Sequence, residues 1–160
     1  MTGSAEPADA TGPTTQWAQL VLAPDGTITA ADDAFLHWSG REAAELVGVA
    51  PFSSLLSAGG RIYHETHFLP LLLMQGEVRD VAFDVVRADG TTLAVLVHAT
   101  LRRGPAGEPE RIDVSVLDAT VRRSYERELQ RARRDAEAAE QQLRRIAETF
   151  QRSLLERAEL

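Results

Sequence analysis

From Val121 onward this 160-residue chain contains no Gly and no Pro, and Leu129, Ala132, Ala136, Ala139, Leu143, Ile146 and Phe150 recur at intervals of 3, 4, 3, 4, 3 and 4. That period holds one apolar seam on one side of a helix, which is the heptad signature of a coiled coil. Arg, Glu and Gln dominate the positions between. At about 1.5 Å of rise per residue, forty residues reach about 60 Å. Three of the seam residues are Ala, so the coil is closely packed but weak and needs the rest of the chain to help it dimerise. A homodimer is expected, with residues 121–160 as its coiled-coil helix.

Before residue 121 the pattern is different. Gln19 to Leu22 reads as a strand, Pro24-Asp25-Gly26 as a turn, and "TITA" as the returning strand. Asp32 or Asp33 can cap a short helix that Gly40 ends. A second short helix runs from Arg41 to Val47, and Pro51 opens a third turn. "RIYHETHFLPLLLMQG" (residues 61–76) reads as the one longer helix, with a kink or break predicted at Leu69 because Pro70 has no N–H and disfavours helix before it. Three strands follow. Val81, Phe83 and Val85 alternate on the first, and Asp89-Gly90 marks a hairpin turn. Leu93, Val95, Val97, Ala99 and Leu101 alternate on the second, whose other face carries Ala94, Leu96 and His98, so both its faces read as largely covered. Ile112, Val114 and Val116 alternate on the third. The expected fold is α+β: a five-stranded antiparallel sheet with helices on one face, followed by the long C-terminal helix. The first sixteen residues, "MTGSAEPADATGPTTQ", read as a disordered tail. The expected organisation is therefore a tail at 1–16, a domain at 17–120 and a coil at 121–160.

Composition excludes several function classes. There is no Cys, hence no disulfide, thiolate metal site, cysteine nucleophile or cysteine–flavin adduct. No apolar run approaches the roughly 18 residues of a membrane span, and the start of the chain lacks the basic and apolar segments of a signal peptide. A cytoplasmic protein with no membrane contact is expected. Residues 1–120 carry 7 Arg against 16 Asp plus Glu, and residues 121–160 carry 10 Arg against 8. An acidic domain and a coil of interleaved sign argue against a nucleic-acid partner. All four His precede the coil, so no phospho-accepting His lies on a dimer helix. No Gly-rich phosphate loop and no Gly-x-Ser-x-Gly turn occurs. No enzyme activity, no catalytic residue and no metal site are expected.

The stretch "DGTITAADDAFLHWSGREAAELVG" resembles the opening of a PAS domain, with Asp25, Ile28, Ala34, Phe35, Gly40, Leu46 and Gly48 in the family's pattern and Asp32 where Asn is usual. "VRADGTTLAVLVHA" resembles the hairpin of that fold. "LDAT", residues 117–120, is similar to the Asp-Ile-Thr junction between a PAS core and a signalling helix, with Ala119 in the middle position. The resemblance covers about residues 17–120. A narrower likeness links "YHETHFLPLLLMQGEV", "VRADG" and the terminal "FQRSLL" to PAS domains that precede type-2C-like serine/threonine phosphatases in bacterial regulators, with Glu156 where those sequences have Pro. It implies a phosphatase-like output, and either a fragment of a longer regulator or a free-standing sensor that keeps the linker.

The same resemblance implies a ligand pocket walled by the longer helix, and haem-binding members of the family take an axial His from it. The candidate pocket residues are Trp38, His64, His67, Phe68, Leu71, Phe83 and Val97. His64 and His67 lie about 60° apart on a helix, and His67, beside Phe68, is expected to be the buried one. Three alternatives stand: a small-molecule ligand, a filled core without ligand, and a haem held by His64 or His67. Asp118 and Thr120 are the candidate signal junction, and Thr120 is also placed to cap the helix starting at Val121.

Overall fold

The computed structural model describes residues 16–159. They form two compact units, one ending at Ala119 and the other beginning at Thr120. The expected tail lies outside the described residues except for Gln16, whose carbonyl accepts a hydrogen bond from the Asp118 N–H at 3.0 Å.

Five strands, β1 (Trp17–Leu22), β2 (Ile28–Ala31), β3 (Glu77–Val86), β4 (Thr92–Arg103) and β5 (Pro109–Asp118), form one sheet in the order β2-β1-β5-β4-β3. Every pairing is antiparallel. Successive side chains on a strand point to opposite faces. Ala18, Leu20 and Leu22 on β1, the odd residues Leu93 to Leu101 on β4, and Ile112, Val114 and Val116 on β5 therefore line one buried face. The opposite face of β4 is only half-buried at Ala94, Leu96 and His98. There His98 Nε2 lies 3.1 Å from Glu77 Oε1, which Arg79 also engages at 2.8 Å.

β3 departs from simple alternation. Val78 is buried, as are Phe83 and Val85, although the two sets differ in parity. Val78 opposes Ala99 while Val81 opposes Val97, so one extra residue sits in β3. Asp80 absorbs this bulge at φ 54°. The inserted residue flips the side chains that follow it, which is what turns Phe83 inward.

The connection from β2 to β3 carries the helices. In α1 (Asp33–Ser39) the Asp32 carboxylate accepts from the Phe35 N–H at 2.9 Å and from the Gln19 N–H at 2.9 Å. One side chain thus caps the helix and pins it to β1. Gly40 closes α1 in the left-handed region at φ 66°, where it carries no Cβ penalty. The second helix, α2, spans only Ala43–Leu46, because Glu42 is extended ahead of it, with its N–H capped by Glu45 Oε2, and Val47 is extended behind it. A 3₁₀ turn covers Phe52–Leu55.

The longer helix begins at Ala58, three residues earlier than expected, and does not break at Leu69. It runs as α3 (Ala58–Tyr63), a π-helical turn (His64–Phe68) and α4 (Leu69–Gln75). The Leu69 N–H reaches back five residues to the His64 carbonyl. Pro70 then falls in the first turn of α4, where a missing N–H costs little. The widened turn takes up the strain that would otherwise kink the chain.

The final helix, α5 (Thr120–Ala158), starts one residue before the expected Val121. Thr120 is thus its first residue, and the residue before it is the buried Ala119. Within α5, Arg122 pairs with Glu126 and Arg144 with Glu140 at i, i+4 spacing. No helix among the described residues is long and apolar enough to cross a membrane.

The double role of Asp32 predicts its variants. Asp32→Ala should lower unfolding free energy by about 1–2 kcal/mol, and Asp32→Asn, which keeps one acceptor, by less. Urea denaturation midpoints at unchanged slope measure both. An Ala variant as stable as the native chain would contradict the assigned role.

Candidate functional site

The helical wall and the sheet meet at a cluster of rings around His64. His64, Phe68 and Leu72 recur at i, i+4 and i+8, so one face of the helix carries them, and all three are buried. Phe52 approaches from the 3₁₀ turn and Phe83 from β3. The His64 ring lies 5.2 Å from Phe68, stacked at 26°, 5.9 Å from Phe52 and 6.2 Å from Phe83. Phe83 also meets Phe68 edge-on at 5.4 Å and Phe52 at 6.4 Å. Val97 belongs to the same inner face of the sheet and is fully buried.

His64 is 4% exposed, and its Nδ1 is buried with no hydrogen-bond partner. A buried imidazole nitrogen without a partner is costly, and protonating the ring there costs more. Burial accordingly holds the His64 pKa below its ordinary value of 6.5, against a smaller opposing pull from Glu65. The site therefore presents a neutral imidazole inside an aromatic enclosure. Such a group can give or take one hydrogen bond with a small ligand.

Three of the expected pocket residues, His64, Phe68 and Phe83, come together here, with Val97 alongside. Three do not. His67 is exposed, which reverses the expectation that it is the buried histidine. It stacks on Tyr63 at 5.0 Å and 4°, and its Nδ1 lies 2.7 Å from the Thr66 hydroxyl. That hydroxyl donates to the Ile62 carbonyl, which leaves the His67 Nδ1–H as donor. The π turn sets the face: it lines up residues 64 and 68 on the core side and leaves residue 67 at the edge. Leu71 is 39% exposed, and Leu72 takes the inward position for the same reason. Trp38 is half-buried and lines a separate cleft with His37, Gly40, Arg87, Ala88 and Asp89. Phe52 is the member that sequence reasoning missed. Its signal was an aromatic directly after Pro51, at the start of a turn.

The residues present do not fit a haem. Ligation by His64 would require displacing the rings of Phe52, Phe68 and Phe83, and ligation by His67 would leave the porphyrin on the exposed edge. Among the described residues no three His, Asp or Glu side chains gather to hold a metal ion.

At the end of β5 the Ala119 N–H donates to the Ala94 carbonyl at 2.9 Å. Ala119 is thus the buried element of the expected Asp118–Thr120 junction, fixed to β4 by its backbone.

A sequence profile described as the PAS fold matches residues 14–124. This chain belongs to the PAS family. Among solved structures, the PAS domain of a protein from Colwellia psychrerythraea superposes with a TM-score of 0.59 at 14% identity, over 65% of this chain and 86% of that one. The PAS-B domain of Drosophila melanogaster Cycle is similar in two forms. A tryptophan-to-alanine variant with bound glycerol gives a TM-score of 0.57 at 13% identity, over 62% and 97% of the two chains. The wild type with bound ethylene glycol gives 0.57 at 11%, over 62% and 96%. At these identities the likeness is one of fold. No curated protein sequence matches the chain. PAS domains are in general sensory and signalling modules and not catalysts.

The lowered His64 pKa carries a sign. The unfolded chain binds the His64 proton more readily than the folded one, so stability is complete above pH 6.5 and falls as the pH drops below it. His64→Phe should flatten that slope in denaturation series between pH 7.5 and 5.5, and His64→Ala should destabilise more than His67→Ala. An unchanged slope in the Phe variant would refute the assignment.

Proposed function

We propose that this PAS domain is the sensory half of a homodimer whose output is driven through α5 as a coiled coil. The observation that carries the reading is the state of the α5 seam. Leu129, Leu143, Ile146 and Phe150 are 54%, 68%, 59% and 65% exposed in a single copy, at 3–4 spacing, over a helix without Gly or Pro. An apolar stripe of that period is the surface a second helix covers. Ala132, Ala136 and Ala139 complete it and allow close approach at its centre.

The input is a small molecule or partner acting at the His64 cluster, where the orphaned Nδ1 supplies the polar contact. The output is a phosphatase-like regulator, supported by the likeness of the helical wall and of residues 150–155 to PAS domains that precede such enzymes. The signal leaves the sheet through Asp118, Ala119 and Thr120. A cytoplasmic location fits this role. The organisation follows: a PAS unit over 17–120 and a signalling helix from 121. A second reading, a dimeriser with a filled core and no ligand, is favoured by the packing of the Phe52, Phe68 and Phe83 rings around His64. Mass spectrometry of small molecules released from the purified protein separates the two.

Replacing Leu143 and Ile146 together by Asp should turn a dimer into a monomer in light scattering and reduce helix content in circular dichroism. A mass unchanged by the double substitution would show that the seam is not the contact.

A further inference from the structure

The cleft that holds Trp38 is separate from the His64 cluster and has its own chemistry. It lies between the C-terminal end of α1 and the turn joining β3 to β4, and it encloses about 390 Å³. That is within the range of about 300–1,000 Å³ usual for small-molecule sites. The two walls are tied together by the Ala88 N–H, which donates to the Ser39 carbonyl at 2.9 Å. The turn itself is closed by Arg87 and Thr91 backbone groups at 2.8 Å.

Two guanidinium groups approach this junction incompletely satisfied. The Nε atoms of Arg87 and Arg41 are buried, and neither has a hydrogen-bond partner. The Arg41 guanidinium makes a long hydrogen bond, from Nη2 to the Val86 carbonyl at 3.5 Å. A shortage of acids does not explain this, because residues 1–120 carry 16 of them against 7 Arg. A buried guanidinium N–H without an acceptor favours whatever brings one.

The cleft also contains a fixed negative charge. Asp89 Oδ1 accepts from the Thr91 hydroxyl at 2.6 Å and from the Thr91 N–H at 2.9 Å. These bonds, the hydroxyl first, hold the carboxyl below its usual range and keep it ionised at neutral pH. They also use only one of its two oxygens. A simple anion would meet Arg87 favourably and Asp89 unfavourably. A molecule carrying both charges meets both groups well, and the half-buried indole of Trp38 offers a flat apolar wall for its body.

We propose that this cleft binds a small zwitterion with a flat apolar body, an aromatic α-amino acid, with its carboxylate on Arg87, its ammonium on Asp89 and its ring on Trp38.

The test uses the full chain, titrated by calorimetry and by Trp indole N–H shifts with L-phenylalanine, 3-phenylpropionate and phenethylamine. L-Phenylalanine should bind, and each analogue lacking one charge should bind about tenfold more weakly or worse. Arg87→Gln should weaken L-phenylalanine about tenfold and leave phenethylamine unchanged. Asp89→Asn, which keeps the turn acceptor, should weaken L-phenylalanine and phenethylamine but not 3-phenylpropionate. Thermal unfolding at native temperatures confirms that each variant is folded. No binding of L-phenylalanine at millimolar concentration, equal affinity for all three probes, or undiminished binding by the Arg87 variant would each overturn the proposal.

Discussion

Insertion of β5 between β1 and β4 holds this fold together. β5 is the last strand in sequence, yet it occupies the centre of the sheet, paired along one edge from Trp17↔Leu117 to Leu22↔Ile112 and along the other from Val95↔Asp118 to Arg103↔Pro109. In the sheet, the first hairpin and the β3–β4 hairpin are joined by backbone pairing through it. The buried faces of the two hairpins become one core only when β5 is in place, so core formation and placement of the chain's exit are the same event. Ala119, buried and bonded to Ala94, fixes the backbone on the peptide that leads into α5.

The consequences spread outward from that sheet. The bulge at Asp80 turns Phe83 inward, and the π turn at residues 64–68 turns His64 and Phe68 to meet it. Both devices add one residue to a regular repeat, and together they build the ring cluster. A neutral imidazole with an unpartnered nitrogen is an expensive thing to enclose. Under the function proposed above, that nitrogen is the contact point for the input.

The strands and caps were legible because each rests on a local rule. Alternation of period two exposed β4 and β5, and Asp32 and Gly40 bracketed α1 through one cap each. The helix α5 was legible because no Gly or Pro interrupts the chain from Val121 onward. The bulge and the π turn were not legible. Neither carries a Gly to mark it, Asp80 takes its left-handed conformation without a sequence signal, and the choice between a four- and a five-residue backbone bond at Leu69 is made by packing. Pro70 pointed to the right region but to a break in place of a widened turn. Choosing His67 over His64 rested on its place beside Phe68 in the sequence. The i, i+4, i+8 series His64, Phe68, Leu72 held the correct answer in the sequence itself.

If α5 is an output element and not a solvated extension, as proposed, its seam is buried against a second copy. The chain has no native Cys, so single Cys substitutions can carry a nitroxide at each position from 125 to 155 without background. Spectral mobility should fall at Leu129, Ala132, Ala136, Ala139, Leu143, Ile146 and Phe150 and rise between them, in the 3–4 pattern, whichever way the two helices run. Uniformly high mobility along the helix, or minima out of phase with these positions, would contradict the account.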